Sequence, residues 1–411
     1  MNEPKLRFKA DDGSQFPDWE RKCLSDIASF HSGLTYTPDD VVDSENGILV
    51  FRSSNIQNGR ISYNDNVYVD KELKERNYVK LHDIVVCVRN GSKALVGKNA
   101  LVTESDLNAT WGAFMTVIRA KQNYEFVHQY LNSTFFKKEM YKDSGTATIN
   151  QITTAMLNDC KLFVPSLPEQ QKIAEFLSTI DTVIAKQKET VSAWEERKKG
   201  VMQKLFSQEV RFKADDGSEF PEWEEKKLGE CGRFYTGVGF SEKYQGHKGL
   251  DVDVYKVSDM NIVGNEKYMT LSNNTVDDSI VRQMKTKVIT SKCLVFAKVG
   301  AAIYGERKRI TTKPFLIDNN MMAFEPYSCL NIEYLHSWSC SVKFSQYAQV
   351  GALPSYNSSD IGIIKIHIPC LAEQQKIADC LSSLDEVIEK QKATLAAWEE
   401  LKKGLLQQMF V

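Results

Sequence analysis

Two glycine-hinged loops carry the residue types best suited to chemistry: VRNGSKALVGK at 88–98 and AKVGAAIYGERKR at 297–309. A nucleotide-binding loop needs four residues between its glycines, then Lys, then a hydroxyl for magnesium. The first loop has five residues between Gly91 and Gly97, and Asn99 stands where Ser or Thr would hold the ion. The second has the spacing, Gly300 to Gly305, but Glu306 replaces the lysine. Nucleotide binding therefore does not follow. What remains is basic side chains beside glycines that let a backbone come close. That suits phosphate contact, while Arg, Asn and Gln can read base edges.

Further polar loops are of the same kind: 52–55 with 256–261, and 146–151 with 353–358. Candidate DNA contacts in the first half are Arg52, Asn55, Arg89, Ser92, Lys93, Lys98, Asn150 and Gln151. In the second they are Lys256, Lys298, Tyr304, Arg307, Lys308, Arg309 and Asn357. From Lys285 to Lys313 there are eight Lys or Arg and one acid. The plainer reading of each loop is a solvated face, or a turn whose Asn and Ser satisfy the backbone.

Other chemistry is not visible. The nine cysteines are spread singly without a Cys-x-x-Cys pair, and the six histidines are scattered, so neither a zinc site nor a disulfide framework is expected. Gly237-Val-Gly239 lacks a dinucleotide-binding context. No methyltransferase or helicase motif is present. No catalytic residue and no metal ligand is expected.

The elements that must position these loops come from a duplication. LRFKADDGSQFPDW at 6–19 returns at 210–223, shifted by 204, with 11 of 14 positions identical. Residues 165–206 return at 369–410 at the same shift, with 26 identities in 42. The stretches between diverge. The expected division is an arm and first variable block at 1–164, a long helix at 165–208, an arm and second block at 209–368, and a long helix at 369–411. Each block mixes short β-type runs (48–52, 84–89, 114–118; 254–257, 293–298, 321–324) with one helix, 124–141 or 332–349. Each is thus an α+β domain.

Each matched tail reads as a helix of about 39 residues and roughly 58 Å. Ser166 and Glu169 suggest a capping box at the first, with Cys370 replacing the serine in the second. Apolar positions alternate four and three: Ile173, Leu177, Ile184, Gln187 and Trp194 in one, Ile377, Leu381, Ile388, Gln391 and Trp398 in the other. That seam predicts an antiparallel coiled coil in pseudo-two-fold arrangement, a rod with one block at each end. The two seam glutamines would meet at its centre, and the charged faces would be solvated or dock another protein.

At 411 residues, 42% hydrophobic and 26% charged, the chain is an ordinary globular protein of two or three domains. Its 52 basic and 54 acidic residues, net −2, exclude nucleic-acid binding by bulk charge. The start holds no apolar stretch of a signal peptide, and apolar runs are strand-sized. A cytoplasmic protein with reduced cysteines and no membrane contact is expected.

The motif VPSLPEQQKIA at 164–174, repeated as IPCLAEQQKIA at 368–378, resembles the start of the helices in specificity subunits of type I restriction-modification systems. So does the layout of two variable domains each followed by a long helix. The glycine loops and residues 148–151 (TINQ) look like that family's target-recognition domains; 355–358 (SYNS) depart from the pattern. The resemblance implies a non-catalytic reader of a bipartite, asymmetric double-stranded DNA target, one half-site per domain. It also implies two methyltransferase subunits docked on the helices and using S-adenosylmethionine, and a restriction subunit with ATP-dependent nuclease activity. This chain itself would bind no cofactor. A coiled-coil scaffold for other proteins, or an unrecognised nuclease, are the competing classes.

Overall fold

The computed structural model describes residues 4–43, 46–141, 150–349, 351 and 353–410. The chain forms two compact units, residues 1–189 with 392–411, and residues 190–391, so the division falls inside each long helix.

In the first unit, one sheet runs in the order Ala28–Ser32, Met115–Ala120, Ile84–Cys87, Asn99–Leu101, antiparallel throughout. A second sheet pairs Ala109–Trp111 in parallel with Ile48–Phe51. The uninterrupted apolar run Ile84–Cys87 is buried on both faces. Its side chains alternate, as a strand's must. Ile84 and Val86 enter a core shared with the helices, and Val85 and Cys87 enter a core between the sheets.

The second unit repeats this plan. Its main sheet orders Gly232–Thr236, Met321–Pro326, Leu294–Ala297, Lys308–Thr311 and Tyr268–Met269. Val252–Tyr255 pairs in parallel with Phe315–Ile317. Leu294 and Phe296 face one core, Val295 the other. Each expected strand thus exists, with ends shifted by up to two residues.

The expected helix at 124–141 is two, Tyr124–Asn132 and Thr134–Tyr141. Ser133 divides them: it is fully buried, and its hydroxyl accepts from the Phe136 amide at 3.2 Å, opening the second helix. At 332–349 the helix ends at Ser341, and a short 3-10 turn, Phe344–Tyr347, follows.

At equivalent crossings in the two units a glycine is fixed by close approach. Leu34 bridges Gly112 in parallel, and Val238 bridges Asp318. A Cβ on Gly33 would lie 2.0 Å from the Gly112 carbonyl oxygen, and on Gly237 1.7 Å from that of Asp318. Of the Gly237-Val-Gly239 pair, Gly237 is therefore a packing device, while a Cβ on Gly239 would meet nothing within 4 Å. Gly33→Ala or Gly237→Ala should force the two strands apart and destabilise its own unit by about 3 kcal/mol, read as a lower urea midpoint. A change below about 0.5 kcal/mol would mean the crossing can open freely.

The long helices span Leu167–Phe206 and Leu371–Met409. In the first unit Asp181 pairs with Lys402 (2.5 Å) and Lys188 with Glu399 (2.8 Å), so the two run antiparallel there. The second unit repeats the first contact as Lys198–Asp385, also 2.5 Å. Seam positions Ile173, Leu177, Ile184, Ile377, Leu381 and Ile388 are buried. Trp194 and Trp398 are half-buried, with the Arg197 guanidinium 5.1 Å above the Trp194 ring. Gln187 is assigned to the first unit and Gln391 to the second. No described helix is long and apolar enough to cross a membrane.

The helix starts correct the capping-box expectation. The Ser166 hydroxyl is buried with no hydrogen-bond partner, and Glu169 turns instead to the arm. Arg7 donates to its two carboxylate oxygens at 3.1 and 2.9 Å, and Trp19 Nε1 at 3.1 Å. The clasp recurs 204 residues on: Arg211 reaches Glu373 at 3.2 and 2.9 Å, and Trp223 at 3.0 Å. Both carboxylates are 0% exposed. Arms and helix starts are repeated together because they form one buried contact, and Cys370 costs nothing because the serine hydroxyl is unused.

Candidate nucleic-acid interface

In the first unit the candidate loops are brought together beyond the end of the central strand Ile84–Cys87. Asn90 Nδ2 donates to Ser53 Oγ (3.2 Å) and Lys98 Nζ to the Ser53 carbonyl (3.4 Å), tying 52–55 to 88–98. Asn150 Nδ2 donates to the Gly91 carbonyl (3.1 Å), and Arg89 bridges Gln151. Residues 146–149 of the third loop lie outside the described residues. Arg89, Ser92 and Lys93 are exposed, whereas Arg52, Lys98, Asn150 and Gln151 are half-buried. Arg52 is held by Asp65 at 2.9 Å. The Lys93 ammonium sits 4.7 Å over the Tyr141 ring. Burial pushes the Cys87 thiol up, leaving it an uncharged strand residue under the loop.

Asn55 is a correction. It is 0% exposed, its Oδ1 accepts from the Arg52 amide at 3.0 Å, and its Nδ2 donates to Ser62 and Asp65 carbonyls at 3.1 Å. It shapes the loop from inside rather than meeting a ligand.

In the second unit Val299 bridges Ser355, and the Gly300 amide donates to the Pro354 carbonyl at 2.8 Å. This is the counterpart of the Arg89–Gln151 bridge, so 353–358 is joined to the 298–305 loop although its sequence departs. Tyr304, Arg307 and Asn357 are exposed, and Lys256 and Lys298 half-buried. Lys256 Nζ donates to Gln245 at 3.2 Å. Asn357 also caps the short helix Ser358–Gly362, accepting from Ser359 and Asp360 amides at 2.8 and 3.0 Å. Burial raises the Asp318 carboxyl above the usual range, with the Lys256 charge opposing.

The basic run of this unit does not form one patch. Lys308 is 2% exposed, paired with Glu306 at 2.5 Å and donating to the Val342 carbonyl at 3.0 Å. Burial pulls the Arg309 guanidinium down; its Nη1 donates to the Lys308 carbonyl, and its Nε is buried without a partner. The strand Lys308–Thr311 carries Lys308 into the fold and half-buries Arg309, while Arg307 stays exposed. Lys308 is therefore withdrawn from the contact set.

Three exposed residues were missed: Phe114, and Asn319 and Asn320 at the equivalent turn. Phe114 O accepts from the Val88 and Arg89 amides (3.0 and 3.2 Å), and Asn320 O from the Lys298 amide (2.8 Å). The signal was present only as a turn between two strands.

A profile of the type I restriction modification DNA specificity domain matches residues 17–192 and again 221–397. The chain belongs to that family. Its two specificity domains coincide with the two structural repeats. Among relatives, it is 25% identical over 268 residues to the type I restriction enzyme StySPI specificity subunit of Salmonella potsdam, covering 62% of this chain and 57% of that one. It is 29% identical over 210 residues to the EcoKI specificity subunit of Escherichia coli (strain K12), covering 50% and 44%. The matches thus span about half the length of these two relatives. The fold is shared with the crystal structure of the type I restriction-modification system S subunit from M. genitalium: TM-score 0.54, 16% identity, covering 100% of this chain and 99% of that one.

Proposed function

We propose that this chain is the non-catalytic DNA-reading subunit of a type I restriction-modification complex, with each specificity domain reading one half of a bipartite, asymmetric target in duplex DNA. The observation that carries this reading is the convergence, in each domain, of a glycine-hinged loop with separate polar loops at the end of one buried strand, together bearing Arg, Lys, Asn and Ser. Such a surface offers phosphate contacts and base-edge donors together. Two domains of one plan but different loops fit two different half-sites.

The long helices, repeated with 26 of 42 positions identical, dock two methyltransferase subunits in this reading. Those subunits bind S-adenosylmethionine, and this chain binds no cofactor. A restriction subunit completes the assembly in the cytoplasm. Because the chain is net −2, DNA binding by the chain alone is expected to be weak and steeply salt-dependent, and to tighten with the methyltransferase present.

The test exchanges residues 25–164 for the corresponding block of another family member and sequences the methylome of a host expressing the complex. Only the first half of the methylated target should change. A change in both halves, or in neither, would overturn the two-reader arrangement.

A further inference from the structure

We propose that Phe114 and Arg89 form one specificity element: the ring packs on the 5-methyl group of a thymine, and the guanidinium pairs with a guanine in the same half-site. The inference rests on the DNA-reading role proposed above, and adds to it the base chemistry read by the first domain.

Lone exposed apolar side chains are ordinary, so exposure alone carries nothing. Phe114 differs in three respects. It is 58% exposed while Trp111 and Met115, close on either side, are 2% and 1% exposed, so no fraying strand end puts it in solvent. Its backbone is held: the Met115 amide closes the turn on Gly112 O at 2.8 Å, and Phe114 O takes two amide donors from the Arg89 loop. The Arg89 guanidinium lies 5.4 Å from the ring centroid. The Asn90 and Asn150 hydrogen bonds tie the neighbouring loops to the same place. An exposed aromatic on a held backbone, with a guanidinium alongside, matches the groove face of a base pair. The ring suits a thymine methyl, and a guanidinium suits guanine O6 and N7.

The second domain supports the assignment by contrast. The same backbone frame recurs, with the Met321 amide on Asp318 O at 3.1 Å and the Lys298 amide on Asn320 O. It presents Asn319 and Asn320 where the first presents Ala113 and Phe114, and Val299 where the first presents Arg89, with Lys298 one position earlier at the place of Val88. One frame with an aromatic and a guanidinium in one copy, and side-chain amides with no cation at the place of Arg89 in the other, is what unlike half-sites need.

The experiment uses the chain assembled with its methyltransferase partner and the target found by methylome sequencing. Each thymine of the first half-site is replaced in turn by deoxyuridine, which lacks the methyl group, and each guanine by 7-deazaguanine, which lacks N7. One uracil replacement should weaken the wild-type complex about fourfold, the equivalent of one buried methyl group. Phe114→Ala should bind thymine and uracil duplexes alike. One deazaguanine should cost the wild type about fivefold or more and leave Arg89→Ala indifferent. A flat thymine series in the wild type, or a uracil response kept by Phe114→Ala, would overturn the proposal, as would a deazaguanine response kept by Arg89→Ala. Sequence-specific binding of the unmodified duplex is read in the same series. Its absence would instead remove the DNA-reading role, so the two failures are distinct.

Discussion

Arg7→Met is expected to destabilise the first unit by about 3–5 kcal/mol, the range for removing one partner of a buried ion pair. Glu169 is wholly buried, and without Arg7 it would keep the Trp19 indole N–H among its described donors. Arg7 is itself only 15% exposed in its side chain, so solvent cannot take over. Its Nη2 also donates to the Pro17 carbonyl at 2.7 Å, fixing the turn that brings the arm onto the helix. The cost is that of an uncompensated charge, so Arg7→Met with Glu169→Leu should recover most of the loss. Arg211→Met should act in the same way on the second unit, through Glu373. Urea unfolding of single and double variants measures both. A single-variant loss below 1 kcal/mol, or a double variant no better than the single, would show the clasp to be an ordinary surface pair.

That clasp also shows what the sequence could and could not reveal. The repeat of 6–19 and 165–206 marked the arms and helix starts as acting together, because identical spacing was kept in both copies. It did not reveal that Glu169 points to Arg7 and Trp19, since a Ser-x-x-Glu start reads equally well as a capping box. Strands such as Ile84–Cys87 were legible because burial on both faces demands an unbroken apolar run. The seam from Ile173 to Leu177 and Ile184 was legible because a helix pair needs that spacing. The interface was legible in its loops but not in its individual side chains. Asn55 and Lys308 carry the right groups, yet tertiary packing turns them inward. Phe114 was read as the first residue of a strand, because an exposed aromatic and a buried one look alike until the turn after Trp111 is placed.

The second unit is expected to lose stability as pH falls from about 6.5 to about 3, through His336. Burial pulls this imidazole down to about 3, with the Lys267 charge acting in the same direction. Its Nε2 lies 3.3 Å from the Lys308 carbonyl, and Cys340 Sγ is 3.8 Å away. In the unfolded chain the same histidine titrates near the ordinary value of about 6.5. Below that pH the unfolded state binds a proton that the folded state refuses. Stability is therefore full above about 6.5 and falls by about 1.4 kcal/mol per pH unit until the folded pKa is reached. His128 in the first unit is pulled to about 4, first by burial and then by the Lys402 charge, so its window closes sooner. Carboxylates lose stabilising contacts over the lower part of the same range, so the decisive quantity is a difference. His336→Gln, which cannot titrate, should flatten the second unit's slope between pH 6.5 and 4.5 and be ~3 kcal/mol less acid-sensitive at pH 4.5. Parallel wild-type and His336→Gln curves over that window would place the acid sensitivity elsewhere.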